Sequence, residues 1–355
     1  MLTRLDTLPE GFLDTPARDL HRLLSGPTLI HLPGRRTPEL FVSVLLHGNE
    51  DVGLVALQQV LRAHAGRQLP RAMSVLIGNV PAAREGLRRL DGQPDFNRVW
   101  PGTQEHIDRP EAAVMREVRD IMAARGLFAS IDIHNNTGLN PHYSVVNSLA
   151  PAVLHLALLM SRTVVWFQGP PGSQTAAFTP LCPSVAVECG KPGHPANEAA
   201  AARFLEACLH LASFPEHGVR PHDIDLYHTV GLVKVAPDVS FGFGRVDVDV
   251  NFHPQLDHLN FRELDAGATF GFTRQPAPLQ VWDEAGQDVA DEFFQVADGQ
   301  LLLRRPSMPA MLTLDERVVR QDCLCYLMDR VPFAHVTHAA SDAAPAAGEP
   351  HGTTL

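Results

Sequence analysis

Three short segments of this 355-residue chain place histidine and acidic residues at the ends of apolar runs. LLHGNEDVG carries His47 and Glu50, FASIDIHNN carries Asp132 and His134, and PSVAVECGK carries Glu188. A buried strand ends in such residues only if they have partners, because burying an isolated charge is costly. Imidazole nitrogens and carboxylate oxygens are ligands of Zn²⁺ and of other divalent metals. The segments therefore predict a metal centre where the strands end.

Two histidines and one glutamate would leave one position on a tetrahedral metal open, which is typical of catalytic zinc. We predict that His47, Glu50 and His134 bind one Zn²⁺ per chain, although these ligand types do not exclude another divalent metal. The His47 and Glu50 spacing is weak by itself, because an acid near a helix start also stabilises the helix dipole. Asp132 and His134 share one side of a strand. Asp132 is therefore predicted either to orient a ligand or to cap a loop.

The Glu188 carboxylate ends an apolar strand beside this predicted centre. A carboxylate placed there can take a proton from water and pass it to a leaving nitrogen. The alternative is a purely structural ion pair with Lys191 or with a nearby arginine.

A fourth segment, GNVPAAREGLRRLDGQPDFNRVWPG, concentrates cations in a loop bounded by glycine and proline. It contains Arg88, Arg89 and the pair Asn97 and Arg98. Guanidinium groups bind carboxylates through paired hydrogen bonds. We predict a locally positive pocket here, although any one of these arginines could equally be a solvated loop residue.

The net charge of −11 argues against nucleic acid and against an anionic membrane surface as partners. It leaves a small molecule as the expected ligand and permits homo-oligomers. No segment has the length and apolar character of a signal peptide or a membrane span, so a cytoplasmic protein is expected. The five cysteines lack the paired spacing of a zinc site or a disulfide framework, and we predict buried thiols.

Short apolar runs alternate with amphipathic ones from about residue 27 to 215, which predicts a largely parallel α/β sheet flanked by helices. Ligands bind such sheets beyond the carboxyl ends of the strands. We predict that a strand ends at His47, that Gly48 permits a tight turn, and that Gly48 or Asn49 caps a helix beginning near Glu50. The predicted organisation is a catalytic domain over 1–220, an all-β domain over 221–338 and a disordered tail over 339–355.

The ordered motifs H-G-N-E, G-N-x-P-A-A-R-x-G-x-R, D-F-N-R, I-D-I-H and V-E-C-G resemble the succinylglutamate desuccinylase and aspartoacylase branch of the zinc carboxypeptidase superfamily. The resemblance spans roughly residues 40 to 200, with five segments in the family's order. It implies a zinc carboxypeptidase-like fold, and it implies His47, Glu50 and His134 as zinc ligands. It also implies Glu188 as general base and acid.

The same resemblance implies that Arg88 polarises the scissile carbonyl and that Asn97 and Arg98 grip a substrate carboxylate. The implied activity is zinc-dependent removal of an acyl group from a small anionic N-acyl amino acid. A carboxypeptidase acting on peptide C-termini shares all of these residues, and an inactive binding homologue is a further alternative. The residues do not predict which acyl group or amine is used.

The stretch HNNTGLNPHY differs from the family's best-known members. In aspartoacylases a tyrosine of the β domain reaches the substrate, but sequence context matches none of this chain's three tyrosines to it. These are Tyr143, Tyr227 and Tyr326. His142 and Tyr143 are either pocket residues or surface residues.

Overall fold

The computed structural model describes residues 1–169 and 171–332, and its main feature is a mixed sheet of twelve strands. The strand order is β1-β2-β4-β3-β5-β8-β6-β7-β9-β17-β16, with β13 pairing β9. The strands of this sheet are β1 Thr3–Leu5, β2 Thr28–Leu32, β3 Glu39–Val44, β4 Met73–Ile77, β5 Leu127–His134, β6 Tyr143–Val146, β7 Thr163–Trp166, β8 Ser184–Glu188, β9 Asp225–Val235, β13 Leu279–Trp282, β16 Met308–Ala310 and β17 Cys325–Arg330.

Helices cover this sheet, as the alternation of apolar runs predicts, and a second sheet of five strands lies in the C-terminal part of the chain. The helices are α1 Val52–Ala63, α2 Val80–Glu85, α3 Pro110–Arg125, α4 Pro151–Leu158, α5 Gln174–Phe178, α6 Pro195–His210, α7 Ala290–Phe293 and α8 Glu316–Gln321. The second sheet contains β10 Phe241–Phe243, β11 Val250–Phe252, β12 Thr269–Thr273, β14 Phe294–Ala297 and β15 Gln300–Leu303.

The strands that lead to the predicted metal centre are neighbours in the middle of the first sheet. Strand β3 runs parallel to β5, and β5 runs parallel to β8. His134 lies opposite Glu188 in this register, and Val44 lies opposite Ile133. Since parallel strands end at the same edge of a sheet, residues at or just after these three ends are brought together.

The first sheet continues beyond the predicted boundary near residue 220. Strand β9 pairs with β7 in parallel and with β17 antiparallel, so C-terminal strands extend the sheet that carries the predicted site. The five-stranded sheet packs around an apolar core of its own. The predicted tail over 339–355, and the last residues of the predicted β domain, lie outside the described residues.

The turn around His47 differs in detail from the prediction. Strand β3 ends at Val44 rather than at His47, and α1 begins at Val52 rather than near Glu50. Neither Gly48 nor Asn49 caps α1. Its first N–H donates instead to the side-chain oxygen of Asn135, 3.1 Å away.

Gly48 is needed for space in this turn. A Cβ atom built there would lie 2.2 Å from the backbone nitrogen of Ala83 and 2.7 Å from the carbonyl oxygen of Leu87. Backbone atoms cannot yield as a flexible side chain can, and overpacking typically costs 1–3 kcal/mol. The absence of a side chain therefore lets the His47 turn lie against the α2 segment.

We expect Gly48→Ala to lower the free energy of unfolding by about 2 kcal/mol or more, because the added methyl group forces these two segments apart. Gly26→Ala is the matched control, since a Cβ at Gly26 meets no atom within 4 Å. Urea denaturation measures both variants. Equal stability of the two would show that the close approach at Gly48 is unimportant.

Two further sequence predictions concern the cysteines and membrane spans. All five cysteines are free and buried, which confirms the prediction of buried thiols. Among the helices within the described ranges, none combines the length and apolar character that a membrane-spanning helix requires.

Candidate metal centre

His47, Glu50 and His134 converge at the carboxyl edge of the sheet. The Glu50 carboxylate lies between the two imidazoles: Oε1 is 2.8 Å from His47 Nδ1, and Oε2 is 2.7 Å from His134 Nδ1. All three side chains are buried, and their ligand atoms lie within 4.8 Å of one another. This donor set fits a zinc ion, since a nitrogen, nitrogen and oxygen set with a free position is a common catalytic zinc arrangement.

A carboxylate fixes the outer nitrogen of each histidine. His47 Nε2 lies 3.0 Å from Asp95 Oδ1, and His134 Nε2 lies 2.6 Å from Asp132 Oδ2. Such contacts favour a proton on Nε2, so that Nδ1 is the nitrogen that would face a metal. Asp132 thus makes the contact with His134 that the first of its two predicted roles requires. Sequence reasoning missed Asp95, although it belongs to the D-F-N-R motif.

These carboxylates also act on the charge of the histidines. Burial opposes protonation of His134, but Asp132 and Glu50 outweigh this and raise its pKa well above the ordinary value. Without a cation between them, the two imidazoles bind protons instead, since the pKa of each is raised while the neighbouring histidines lower the pKa of Glu50 and keep it ionised. Metal and protons therefore compete for the same nitrogens.

We expect Asp95→Asn and Asp132→Asn each to weaken zinc binding about 10–100-fold, because the amide no longer holds the histidine in its metal-binding form. Asp91→Asn is the control. It makes the same change in the loop that contains Asp95, and Asp91 pairs with the distant Arg317. Competition with a chromophoric chelator measures the three affinities. Unchanged affinity in both test variants would remove this orienting role.

The Glu188 carboxylate lies in the wall of the same cavity as the three candidate ligands. Its Oε2 accepts a hydrogen bond from Asn136 Nδ2 at 3.3 Å. The structural alternative, an ion pair with Lys191 or a nearby arginine, is not formed within the described part of the chain, where Lys191 pairs with Asp257 at 3.4 Å. Burial raises the pKa of Glu188 to about 7, with His134 opposing the rise and Glu50 adding to it.

Arg88 is buried, and acidic groups contact both of its terminal nitrogens. Its guanidinium lies 3.3 Å from Glu50 Oε1, 3.0 Å from Asp95 Oδ2 and 3.0 Å from Asp322 Oδ2. Asp322 comes from the C-terminal part of the chain, directly after α8. Arg88 therefore links the metal centre to a residue that sequence reasoning did not single out.

Arg98 and Asn97 also line the cavity, and both already have partners. Arg98 Nη2 lies 3.4 Å from Asp322 Oδ1 and 3.4 Å from the Tyr326 hydroxyl. Asn97 Nδ2 donates to Asp132 Oδ2 at 3.0 Å, and its Oδ1 accepts from the backbone of Gln174 at 2.8 Å. Asn97 therefore braces the carboxylate behind His134, and its predicted grip on a substrate stays a prediction.

An inner cavity of about 90 Å³ holds these groups and is otherwise largely apolar. Its apolar wall includes Val145, Val165, Phe167, Ala186, Met311 and Met328. An outer chamber of about 690 Å³ adjoins it and shares Arg98, Asp322 and Tyr326 with it.

Two tyrosines line the inner cavity, although sequence context matches neither to the family's tyrosine. Tyr326 lies on β17 and reaches Arg98, so the C-terminal part does place a tyrosine at the site. Tyr143 lines the cavity too, and its hydroxyl contacts the sulfur of Met311 at 2.7 Å. His142 faces Asn197 instead, at 2.8 Å.

A second group of possible metal ligands lies on the outer helices. His64 and His210 both contact Glu206, at 2.9 Å and 3.0 Å. The His210 side chain is 56% exposed, whereas the ligands of the inner site are almost fully buried. This outer group is useful as a control for metal binding.

The mixed sheet with its flanking helices, and the buried His-Glu-His cluster near the carboxyl ends of the central strands, define a class of protein. It is an α/β protein with a candidate catalytic metal centre. The model of the succinylglutamate desuccinylase/aspartoacylase catalytic domain matches residues 36–214, about half of the chain. The chain belongs to this family.

Individual relatives are distant. A succinylglutamate desuccinylase of Yersinia pestis is 36% identical over 72 residues, which is 20% of this chain and 21% of that protein. The chain thus aligns with about a fifth of the length of this curated relative.

Solved structures share the fold at low sequence identity. A succinylglutamate desuccinylase structure from Vibrio parahaemolyticus has a TM-score of 0.57 at 15% identity and covers 86% of each chain. Murine aminoacylase 3 has a TM-score of 0.52 at 18% identity, covering 83% of this chain and 97% of that one. These similarities support the predicted fold class.

Proposed function

We propose that this protein is a zinc-dependent hydrolase that removes the acyl group from N-acyl amino acids. The observation that carries the proposal is one shared cavity, which holds a buried His-Glu-His cluster, an acid at the end of β8 and two arginines. Family membership supports a deacylase, because relatives in this family are named desuccinylase and aspartoacylase.

His47, Glu50 and His134 would hold one zinc ion, with Asp95 and Asp132 fixing the histidines. When bound, zinc lowers the pKa of water and polarises a carbonyl oxygen.

Glu188 takes a proton from the attacking water and gives it to the departing amine nitrogen. A pKa near 7 suits this exchange, because an acid-base group works best when its pKa lies near the operating pH. Arg88 borders the cavity, and the charge that it shares with three carboxylates would also act on the oxygen that becomes negative as the amide is attacked. The products are a carboxylic acid and a free amino acid.

The size of the inner cavity favours compact substrates over peptides. Its volume of about 90 Å³ is well below the ~300–1,000 Å³ of pockets that enclose drug-sized ligands. Tyr326 and Met328 of β17 and Ala310 of β16 form part of the wall, so the C-terminal strands limit access.

The test is hydrolysis of a panel of N-acyl amino acids and of peptides by zinc-loaded protein. We expect release of free amino acid from the N-acyl compounds, with kcat/KM at least about tenfold above that for any peptide. Preference for peptides would favour the carboxypeptidase alternative. Zinc binding without any hydrolysis would favour the inactive homologue.

A further inference from the structure

We propose that Asp322 sets the substrate class of this site: as a built-in counter-ion of the two cavity arginines, it keeps a second substrate carboxylate out of the inner cavity and so favours substrates with one carboxylate and an otherwise uncharged, apolar body. The inference rests on the proposed deacylase function and names its substrate more narrowly.

The position of Asp322 between the two cavity arginines is the first observation. Its Oδ2 lies 3.0 Å from Arg88 Nη2, and its Oδ1 lies 3.4 Å from Arg98 Nη2. The exposed fraction of the side chain is only 15% for Asp322, 6% for Arg88 and 24% for Arg98. Burial would raise the pKa of Asp322, but the two arginines hold it below the usual range, so the carboxylate is ionised. It therefore occupies the place that a substrate carboxylate would otherwise take.

The two arginines differ in their remaining capacity to bind a substrate carboxylate. Arg88 already contacts three carboxylates, those of Glu50, Asp95 and Asp322, and is almost completely buried. Arg98 meets one carboxylate within the described part of the chain, at the longer distance of 3.4 Å, and is the more exposed of the two. Arg98 can therefore accept one substrate carboxylate, at the junction of the inner cavity and the outer chamber.

The remainder of the inner cavity offers no cationic partner for a second negative charge. Apart from the histidines of the metal centre, Arg88 and Arg98 are the cationic residues that line it within 1–169 and 171–332. The other lining residues are uncharged, apart from the acids Glu50, Glu188 and Asp322. A second carboxylate entering there would lose its hydration without gaining an ion pair, which is strongly unfavourable. A neutral group of the same shape gives up far less hydration free energy on entering the cavity.

Pairs of isosteric substrates test this charge rule, the preference for one substrate carboxylate over two, on zinc-loaded full-length protein. N-acetylleucine and N-acetylaspartate differ mainly by a carboxylate on the amine side, and N-(4-methylpentanoyl)leucine and N-succinylleucine differ by one on the acyl side. We expect kcat/KM to be at least about 100-fold higher for the monocarboxylate of each pair. Equal or better hydrolysis of either dicarboxylate would overturn the inference.

Asp322→Asn frees the arginines from their shared counter-ion. We expect the ratio of kcat/KM for dicarboxylate over monocarboxylate to rise at least about tenfold, a change that simple loss of stability does not produce. Asp329→Asn removes a carboxylate from β17 that pairs with Arg305 outside the cavity, and should leave the ratio unchanged. A folded Asp322→Asn variant with an unaltered ratio would contradict the role of Asp322.

Calorimetric binding separates failure of this inference from failure of the proposed function. If zinc-loaded protein hydrolyses none of the four compounds, the deacylase proposal fails, yet the charge rule is still decided by their dissociation constants. We expect each monocarboxylate to bind at least about tenfold more tightly than its isosteric dicarboxylate. The reverse order would reject the charge rule whatever the reaction is.

Discussion

Glu188→Gln is expected to retain one zinc ion per chain while turnover of N-acyl amino acids falls by about 10²–10⁴-fold, the usual contribution of general acid-base catalysis. The amide has nearly the shape of the carboxylate, but it can neither take a proton from water nor deliver one to the amine. The cavity position of Glu188 and its lack of a cationic partner at Lys191 support this role. Steady-state kinetics and elemental analysis of the same preparations measure the two quantities.

Two controls make this experiment decisive. Glu216→Gln changes the charge of the chain equally at an exposed position, and its turnover should match the parent protein. Zinc content equal to that of the parent shows that the loss in Glu188→Gln lies in the chemistry and not in the metal centre. Undiminished turnover in Glu188→Gln would remove this residue from the mechanism.

Loss of hydrolysis after removal of the metal is the second large expected effect. Stripping the protein with a chelator should abolish hydrolysis, and adding Zn²⁺ should restore it, because the proposed chemistry has no other source of an acidified water. His47→Ala and His134→Ala should prevent this recovery. Turnover that survives complete removal of metal would contradict the zinc-dependent mechanism.

Thermal unfolding gives a readout of the same site that is independent of activity. A ligand at 100 times its dissociation constant stabilises the folded state by about 2.7 kcal/mol, so zinc should raise the Tm of the parent protein. His134→Ala should lose this rise. His210→Ala removes a ligand only from the exposed outer group, so it should keep both the rise in Tm and the tightly held ion. Equal loss in the two variants would place the stabilising ion elsewhere.

Local sequence determined the residues at the strand ends. His134 and Glu188 end β5 and β8 as predicted, because an apolar run followed by polar residues marks the end of a buried strand without knowledge of distant contacts. The predicted approach of His47 and His134 follows from the parallel arrangement of β3 and β5, which the alternation of strands and helices already indicated. The family motifs added roles for these residues, which their spacing alone could not assign.

The tertiary structure alone decided the charge balance and the shape of the cavity. Asp322 lies 224 residues from Arg98 along the chain, and Tyr326 lies on β17, the strand that follows Asp322. Asp95 sits in a loop 48 residues from its partner His47. Hydrophobic periodicity reports which side of an element is buried, but it does not report which distant element it meets. The extension of the sheet through β9 and β17 brings this distant carboxylate between two arginines, and no local pattern contains that information.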